Sequence, residues 1–221
     1  MQNNLDTIYR RLYHAFGPQR WWPGDTAFEV MVGAILTQNT NWANVERAIA
    51  NLKKSGTFSC PRLYRLSPRK LAKLIRPAGY YNLKAKRLKN FFKFYLLRYQ
   101  GSHKKMSGAA IPRLRKELLL VNGVGQETAD SILLYALGKP VFVVDAYTKR
   151  IFSRHGFIPD GASYEEVQRF FMQNLRNKVQ LFNEYHALIV RLGKDFCLKS
   201  KPKCGLCPLK NLRSAKRLPS I

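Results

Sequence analysis

Apolar residues recur along this chain at intervals of three and four, and almost nowhere at intervals of two. One stripe is Phe28, Met31, Ile35 and Leu36 behind a capping Thr26; another is Val45, Ala48, Ile49 and Leu52. That spacing turns one face of a 3.6-residue helix toward a core, whereas a half-buried strand needs a period of two. Ser67-Pro68 reads as an N-cap followed by proline in the first helical turn, and the short helix it starts has to stop before Pro77. Asn82 opens a long basic-aromatic helix carrying Lys84, Lys86, Arg87, Lys89, Phe91, Phe92 and Tyr95, and residues 101–112 read as a loop on Gly101, Ser102, Gly108 and Pro112. Ser163 and Glu166 have capping-box spacing ahead of Val167, Phe170 and Phe171, and Val179 to Leu192 forms a further amphipathic helix ending at Gly193. Only Val141-Phe142-Val143-Val144 looks like a strand, and it has no visible partner. The pattern predicts an all-α fold, without solenoid repeats or low-complexity stretches.

The 221 residues suffice for one large domain or two small ones. Their charge is far from balanced: 39 Lys and Arg oppose 13 Asp and Glu, a formal net charge of +26. Self-repulsion on that scale disfavours compactness, so it points to a polyanionic partner. An anionic membrane is the weaker choice, because no apolar run approaches the about 18 residues that span a bilayer. The opening Met1-Gln2-Asn3-Asn4-Leu5-Asp6 lacks the basic-then-apolar layout of a signal peptide. The expected location is the cytoplasm, where disulfides are rare and clustered cysteines more often mean metal.

The most informative segment runs from Leu118 to Gly138. A helix bearing Leu114, Leu118 and Leu119 leads into Val121-Asn122-Gly123-Val124-Gly125, and a second helix carries Ala129, Ile132, Leu133 and Ala136. Two glycines flanking an apolar residue make a tight turn with no Cβ in the way. Such a turn can aim successive backbone N–H groups and a helix N-terminus at one phosphate oxygen, which makes Gly123, Val124 and Gly125 candidate phosphate-binding residues. Taken alone it is equally an ordinary αα-hairpin whose glycines only turn the corner. Further along, the run 141–144 delivers Asp145 to the start of another helix, Ala146 to Ile151. Asp is among the best N-caps, and that role needs no chemistry. A carboxylate on a helix N-terminus also stays ionised, and beside a sugar it can stabilise an oxocarbenium-like transition state or activate water.

The strings Val121-Asn122-Gly123-Val124-Gly125-Gln126-Glu127-Thr128-Ala129 and Val143-Val144-Asp145-Ala146-Tyr147 resemble the helix-hairpin-helix and catalytic-aspartate signature of the endonuclease III superfamily. Leu36-Thr37-Gln38-Asn39-Thr40, Gly79-Tyr80-Tyr81-Asn82-Leu83-Lys84-Ala85 and His186-Ala187-Leu188-Ile189-Val190 extend the resemblance, in the family's order, over most of residues 20–210. It implies two helical domains with a DNA-binding cleft between them. One spans about 25–130 and ends in the hairpin (about 114–137); the other is made by 1–24 and 131–221. The implied protein is a monomeric base-excision DNA glycosylase acting on double-stranded DNA that contains a damaged base.

Bifunctional members of that family attack the sugar with a lysine at the second position after the Gly-x-Gly turn, where this chain has Glu127. A carboxylate cannot form a Schiff base, so the covalent route to strand cleavage is missing. Lys139 and Lys149 are near in sequence but not at that position. Trp21-Trp22-Pro23, with Trp42 further on, resembles the pocket of the 3-methyladenine DNA glycosylase III branch, in which aromatics sandwich the flipped base; core packing is the plain alternative for such a pair. A ring-methylated purine is cationic and suits an indole face. The resemblance thus gives Trp22 and Trp42 the base, with Trp21 in support, Gln38 and Asn39 the emptied stack, and Asp145 the sugar. The branch has a lysine where this chain has Leu188, so that lysine's role is lost here.

Cys197, Cys204 and Cys207 match the first three positions of the family's iron–sulfur loop, but the fourth falls on Arg213, and Cys60 lies far away in sequence. A [4Fe-4S] cluster with a substitute ligand, a zinc site completed by a histidine such as His186, and a degenerate loop all remain open, with a metal favoured over none. The runner-up activities are a bifunctional glycosylase/AP-lyase on oxidised pyrimidines and a non-catalytic DNA-binding module; Glu127 argues against the first and Asp145 against the second.

Overall fold

A computed structural model describes residues 2–19, 21 and 24–212. The chain divides into two compact units, Trp22–Lys139 and Met1–Trp21 with Pro140–Ile221. The described regular structure is helical throughout, with no strand. Helix α1 (Gln2–Phe16) buries Leu5, Ile8 and Leu12 and belongs to the discontinuous unit.

The continuous unit is built around α2 (Ala27–Leu36). Thr26 Oγ1 accepts the N–H of Glu29 at 3.2 Å, and every residue from Val30 to Leu36 is buried. A helix apolar all round belongs at the centre of a core. Helix α2 packs against α3 (Trp42–Lys54) and α6 (Tyr81–Tyr99), and α4 (Cys60–Arg65) and α5 (Pro68–Leu74) pack on α6. Ser67 caps α5 as expected, accepting from Lys70 N, and Pro77 falls in a 3-10 turn, Arg76–Ala78. Lys84 on α6 is 1% exposed, and its Nζ donates to Leu36 O at 2.8 Å and Ala78 O at 2.7 Å. Burial, helped by the charge of Arg87, pulls its pKa down to about 8. Lys84 therefore closes the carbonyl end of α2, just ahead of Thr37-Gln38-Asn39-Thr40.

Residues 101–112 are not one loop. Ser102 caps α7 (His103–Ser107), and α8 (Ile111–Leu119) already contains Pro112 in its first turn, so the glycines and proline there punctuate helices. The turn after α8 leads to α9 (Gln126–Ser131), which continues as a π-helical turn over Ile132–Ala136. The sequence boundary at 130 falls inside this helical run, whereas the unit extends to Lys139. The reason is burial: Ile132, Leu133, Leu134 and Ala136 all belong to the core that holds α2.

The discontinuous unit contains α10 (Ala146–Arg154), α11 (Tyr164–Asn174) and α12 (Val179–Asp195) besides α1. Phe142 stacks on Phe171 with centroids 3.9 Å apart, and Phe182, Tyr185 and Phe152 pack edge-on around that pair. Val141–Val144 is buried and extended without joining a sheet. Side chains satisfy its backbone instead: Gln168 Nε2 donates to Phe142 O at 2.7 Å, and Val144 N donates to Tyr164 Oη at 3.3 Å. The capping box at Ser163 and Glu166 is complete. Helix α12 runs through Gly193 to Asp195 rather than ending there. A Cβ at Gly193 would stand 2.3 Å from the Tyr147 ring, so that glycine lets α10 approach α12 and does not stop the helix.

Candidate active site

Asp145 is the N-cap of α10, held by the buried residues 141–144 behind it. Its Oδ1 accepts two hydrogen bonds from Thr148, from the backbone N at 2.7 Å and from Oγ1 at 2.8 Å. Its Oδ2 lies 3.6 Å from Nε2 of His186, a buried residue of α12; that is an ion-pair distance when the ring is charged and too long for a good hydrogen bond. The Trp21 ring meets His186 edge-on, with centroids 6.3 Å apart. Burial is the largest influence on the Asp145 carboxyl and works against ionisation. His186 and the two Thr148 donors together outweigh it, so the pKa lies below the ordinary aspartate value. With its side chain only 10% exposed, Asp145 remains an anion with little water around it. An anion so placed stabilises positive charge on a neighbouring sugar, or polarises a water molecule.

In the continuous unit, the hairpin is closed by a buried ion pair. Arg115 on α8 grips Asp130 on α9 with both ends, Nε to Oδ1 at 2.7 Å and Nη2 to Oδ2 at 3.0 Å, and Asp130 is fully buried. In the turn, Gly123 has φ +97°, a value that favours glycine, while Gly125 is extended with open space where a Cβ would be. Val124 turns its side chain into the core, and its N–H donates to Val121 O at 2.9 Å. Of the three residues expected to face a phosphate, Val124 therefore has its donor committed within the turn. Glu127 stands exposed in the first turn of α9. The two lysines weighed as substitutes for it are tied to carbonyls, Lys139 Nζ to Ala109 O and Lys149 Nζ to Ala162 O, each at 2.8 Å.

Gln38 and Asn39 follow α2 in the same unit. Gln38 is bonded to the hairpin turn, and Asn39 is exposed with φ +53°. Trp42 begins α3, half-buried, with Nε1 donating to Glu46 Oε1 at 2.8 Å. Trp22 lies outside the described residues, as does Arg213. The pairing of His186 with Asp145 escaped the sequence reading, which had offered His186 as a zinc ligand; nothing in the spacing of residues so far apart marks it. Thr148 was legible as the third helical residue after an Asp cap, and Arg87, whose Nη1 donates to Gln38 Oε1 and whose side chain packs against Gly123, was not.

Cys197 and Cys207 are buried and Cys204 is exposed. Burial, with the neighbouring thiols Cys197 and Cys204, pushes the Cys207 thiol up despite a hydrogen bond from Leu209 N. Arg150 and Arg154 fasten the loop by donating to Gly193 O, Cys197 O, Leu198 O and Lys199 O. Among the described residues no group of three His, Cys, Asp or Glu side chains is placed to hold a metal ion. Cys60 belongs to the other unit, where its Sγ contacts Phe92 O and burial raises its pKa to about 12.

Residues 32–177 match the family of HhH-GPD superfamily base excision DNA repair proteins. A Methanocaldococcus jannaschii chain named as a DNA repair glycosylase is 53% identical over 205 residues, 92% of each chain. The crystal structure of Helicobacter pylori 3-methyladenine DNA glycosylase bound to 1,N6-ethenoadenine superposes with a TM-score of 0.76 at 31% identity, covering 86% of this chain and 97% of that one. A trapped endonuclease III–DNA covalent intermediate shares the fold, with a TM-score of 0.82 at 22% identity over 96% and 95% of the two chains. An ionised, poorly solvated N-cap aspartate and a glycine-turned hairpin, in a chain with this match, assign it: it belongs to the HhH-GPD superfamily of base excision DNA repair proteins.

Proposed function

We propose that this base-excision repair protein is a monofunctional DNA glycosylase that hydrolyses the N-glycosidic bond of a flipped, alkylated purine such as 3-methyladenine. The observation that carries this reading is Asp145, kept ionised at a helix N-terminus with one oxygen locked by Thr148 and the other open toward His186. As the glycosidic bond lengthens, the sugar becomes oxocarbenium-like, and a poorly solvated carboxylate stabilises that charge far better than water does. A base methylated on a ring nitrogen is already a good leaving group, so no strong general acid is needed. Glu127 stands at the position of the lyase lysine and cannot form an imine, while Lys139 and Lys149 are committed elsewhere.

Trp22 and Trp42 are assigned to the base, with Trp21, packed on His186, in support. A cationic base gains cation–π attraction from an indole face, worth about 0.5–2 kcal/mol, which neutral purines do not. Gly123 and Gly125 take the phosphate through their backbone N–H groups. Cys197, Cys204 and Cys207 are the residues that would hold a [4Fe-4S] cluster or a zinc ion, and double-stranded DNA carrying the lesion, bound by a monomer in the cytoplasm, completes the proposal.

A panel of duplexes, each with a single lesion, tests it with and without alkali. The expected result is excision of the cationic alkylpurine with strand breaks only after alkali. Trp42→Leu should lose about tenfold on that lesion and much less on hypoxanthine. Strand breaks before alkali, or an oxidised pyrimidine as the best substrate, would favour the bifunctional alternative.

A further inference from the structure

Within the continuous unit, α6, α8 and the turn after α8 line a groove of about 460 Å³ that the chemistry above does not use. Its floor is apolar: Phe94, Leu97, Leu120 and Val121. Leu97 and Leu120 are 72% and 77% exposed. A lone exposed leucine is ordinary on a protein surface, but two on one concave apolar surface mark a contact site. Lys93 and Arg98 add positive charge to the lining. The one acid among the lining residues, Glu117, is already taken. Its Oε1 accepts from Arg98 Nη2 at 3.0 Å and from Arg113 Nε at 3.1 Å, and its Oε2 accepts from Tyr99 Oη. The groove is therefore cationic around an apolar floor. It also includes Asn122 of the hairpin turn, whose carbonyl oxygen accepts from Asn90 Nδ2 on α6 at 3.0 Å.

We propose that this groove docks an acidic amphipathic helix of a partner protein, with the helix's apolar side chains on Leu97 and Leu120 and its carboxylates on Lys93 and Arg98. The inference goes beyond the glycosylase reading and does not depend on it. Charge selects the occupant. A second copy of this chain brings a net charge of +26, and residues 213–221, outside the described ones, bring Arg213, Lys216 and Arg217; both meet the groove with its own sign. DNA has the right sign, but a floor of four apolar side chains offers no donor to its phosphates and sugars. An amphipathic helix supplies both halves of the match. Apolar residues at i, i+3, i+4 and i+7 fill a groove, and flanking carboxylates pair with the cations around it. Leucines this exposed suit a segment lying across an open groove better than an enclosed small molecule. Because Asn122 belongs to the hairpin turn, the docked helix would bring its protein beside the residues assigned to the phosphate.

The probe is a fluorescein-labelled synthetic peptide of about 16 residues, long enough to form a helix, with Leu at i, i+3, i+4 and i+7 and Glu at most other positions. One control peptide has Gln in place of every Leu, and another has Lys in place of every Glu. By fluorescence anisotropy, the wild-type protein should bind the acidic amphipathic peptide at least about tenfold more tightly than either control. The double variant Leu97→Gln, Leu120→Gln should lose about tenfold on that peptide and bind both acidic peptides alike. Gln keeps the helix propensity and both leucines are exposed, so its melting temperature should stay level and its affinity for undamaged duplex within about twofold of wild type. Lys93→Glu should weaken the acidic amphipathic peptide about threefold and flatten its salt dependence. If the double variant holds the peptide as wild type does, or if wild type has no preference among the three peptides, general positive charge explains the binding and the proposal is overturned. A tenfold loss of duplex affinity in the double variant would give the groove to DNA. Wild-type self-association in sedimentation that the double variant lacks would give it to a second copy, and either result also overturns the proposal.

Discussion

Asp145 uses its two oxygens differently. Oδ1 takes both Thr148 donors and caps α10, while Oδ2 faces His186 and is the atom the proposed mechanism turns toward the sugar. The cap and the proposed chemistry separate on mutation. Asn caps helices as well as Asp does, so Asp145→Asn should keep the α10 cap while removing the charge, and the melting temperature should fall only by what the ionised carboxylate adds. Excision should fall by roughly 10²–10³-fold, the scale of losing one preorganised electrostatic group, with duplex affinity nearly unchanged because phosphates supply it. Asp145→Ala should add a stability loss of about 1 kcal/mol from the missing cap, read by urea denaturation. Near-normal turnover in Asp145→Asn would refute the assigned chemistry. The depressed pKa also fixes a sign. This carboxylate adds stability above the ordinary aspartate pKa and loses it only as pH falls through its lower folded value. Excision should therefore show no acid limb from Asp145 near neutral pH.

Among the elements, α12 carries the sharpest test. Gly193→Ala is a helix-favouring change on propensity alone, yet the added methyl would meet the Tyr147 ring at 2.3 Å. We expect overpacking to win and the unit to lose about 1–3 kcal/mol, measured as a shift in urea midpoint; an unchanged or raised midpoint would show that α10 and α12 can part without cost. This glycine illustrates where sequence reading ran out. Helix starts were legible because their signals are local: Thr26, Ser67 and Ser163 each cap the helix expected of them. Stops and loops were harder, since a glycine chosen for close packing looks the same as one chosen to end a helix. The run 141–144 was likewise legible as buried and extended, but the side chains of Gln168 and Tyr164 that replace a partner strand come from far along the chain. In the site, Asp145 and the glycine turn followed from motif and spacing, whereas the His186 contact and the Arg87–Gln38 hydrogen bond are products of tertiary packing.

On the scale of the whole molecule, the cationic surplus has few internal outlets. Several of the acids are already paired: Asp25 and Glu29 with Lys53, Glu117 with Arg98 and Arg113, Asp130 with Arg115, and Asp195 with Arg191. Hydrogen bonding from Tyr99, with Arg113 and Arg98, holds Glu117 down at about 2, so its pairs with the two arginines stay formed through the neutral range. Most of the net +26 is therefore available to an outside polyanion. If six to ten phosphates are neutralised, affinity for undamaged duplex should drop by about 10³–10⁵ between 50 and 200 mM salt. A nearly flat salt dependence would mean that the charge serves something other than DNA. No helix among the described residues is long and apolar enough to cross a membrane.

The path of the chain has a consequence for how the protein is made. Helix α1 emerges from the ribosome early, but its buried stripe of Leu5, Ile8 and Leu12 belongs to a core whose other members come much later; Tyr185 Oη, for example, donates to Leu5 O at 3.0 Å. Trp22–Lys139 is continuous and can collapse as soon as it is synthesised. At about 5–20 residues per second, α1 then waits on the order of ten to forty seconds for α12 to appear. During that interval its apolar face is an unpaired amphipathic surface, open to chaperones, to proteases or to another copy of itself, so a nascent chain stalled before α12 should be far more aggregation-prone than the finished protein.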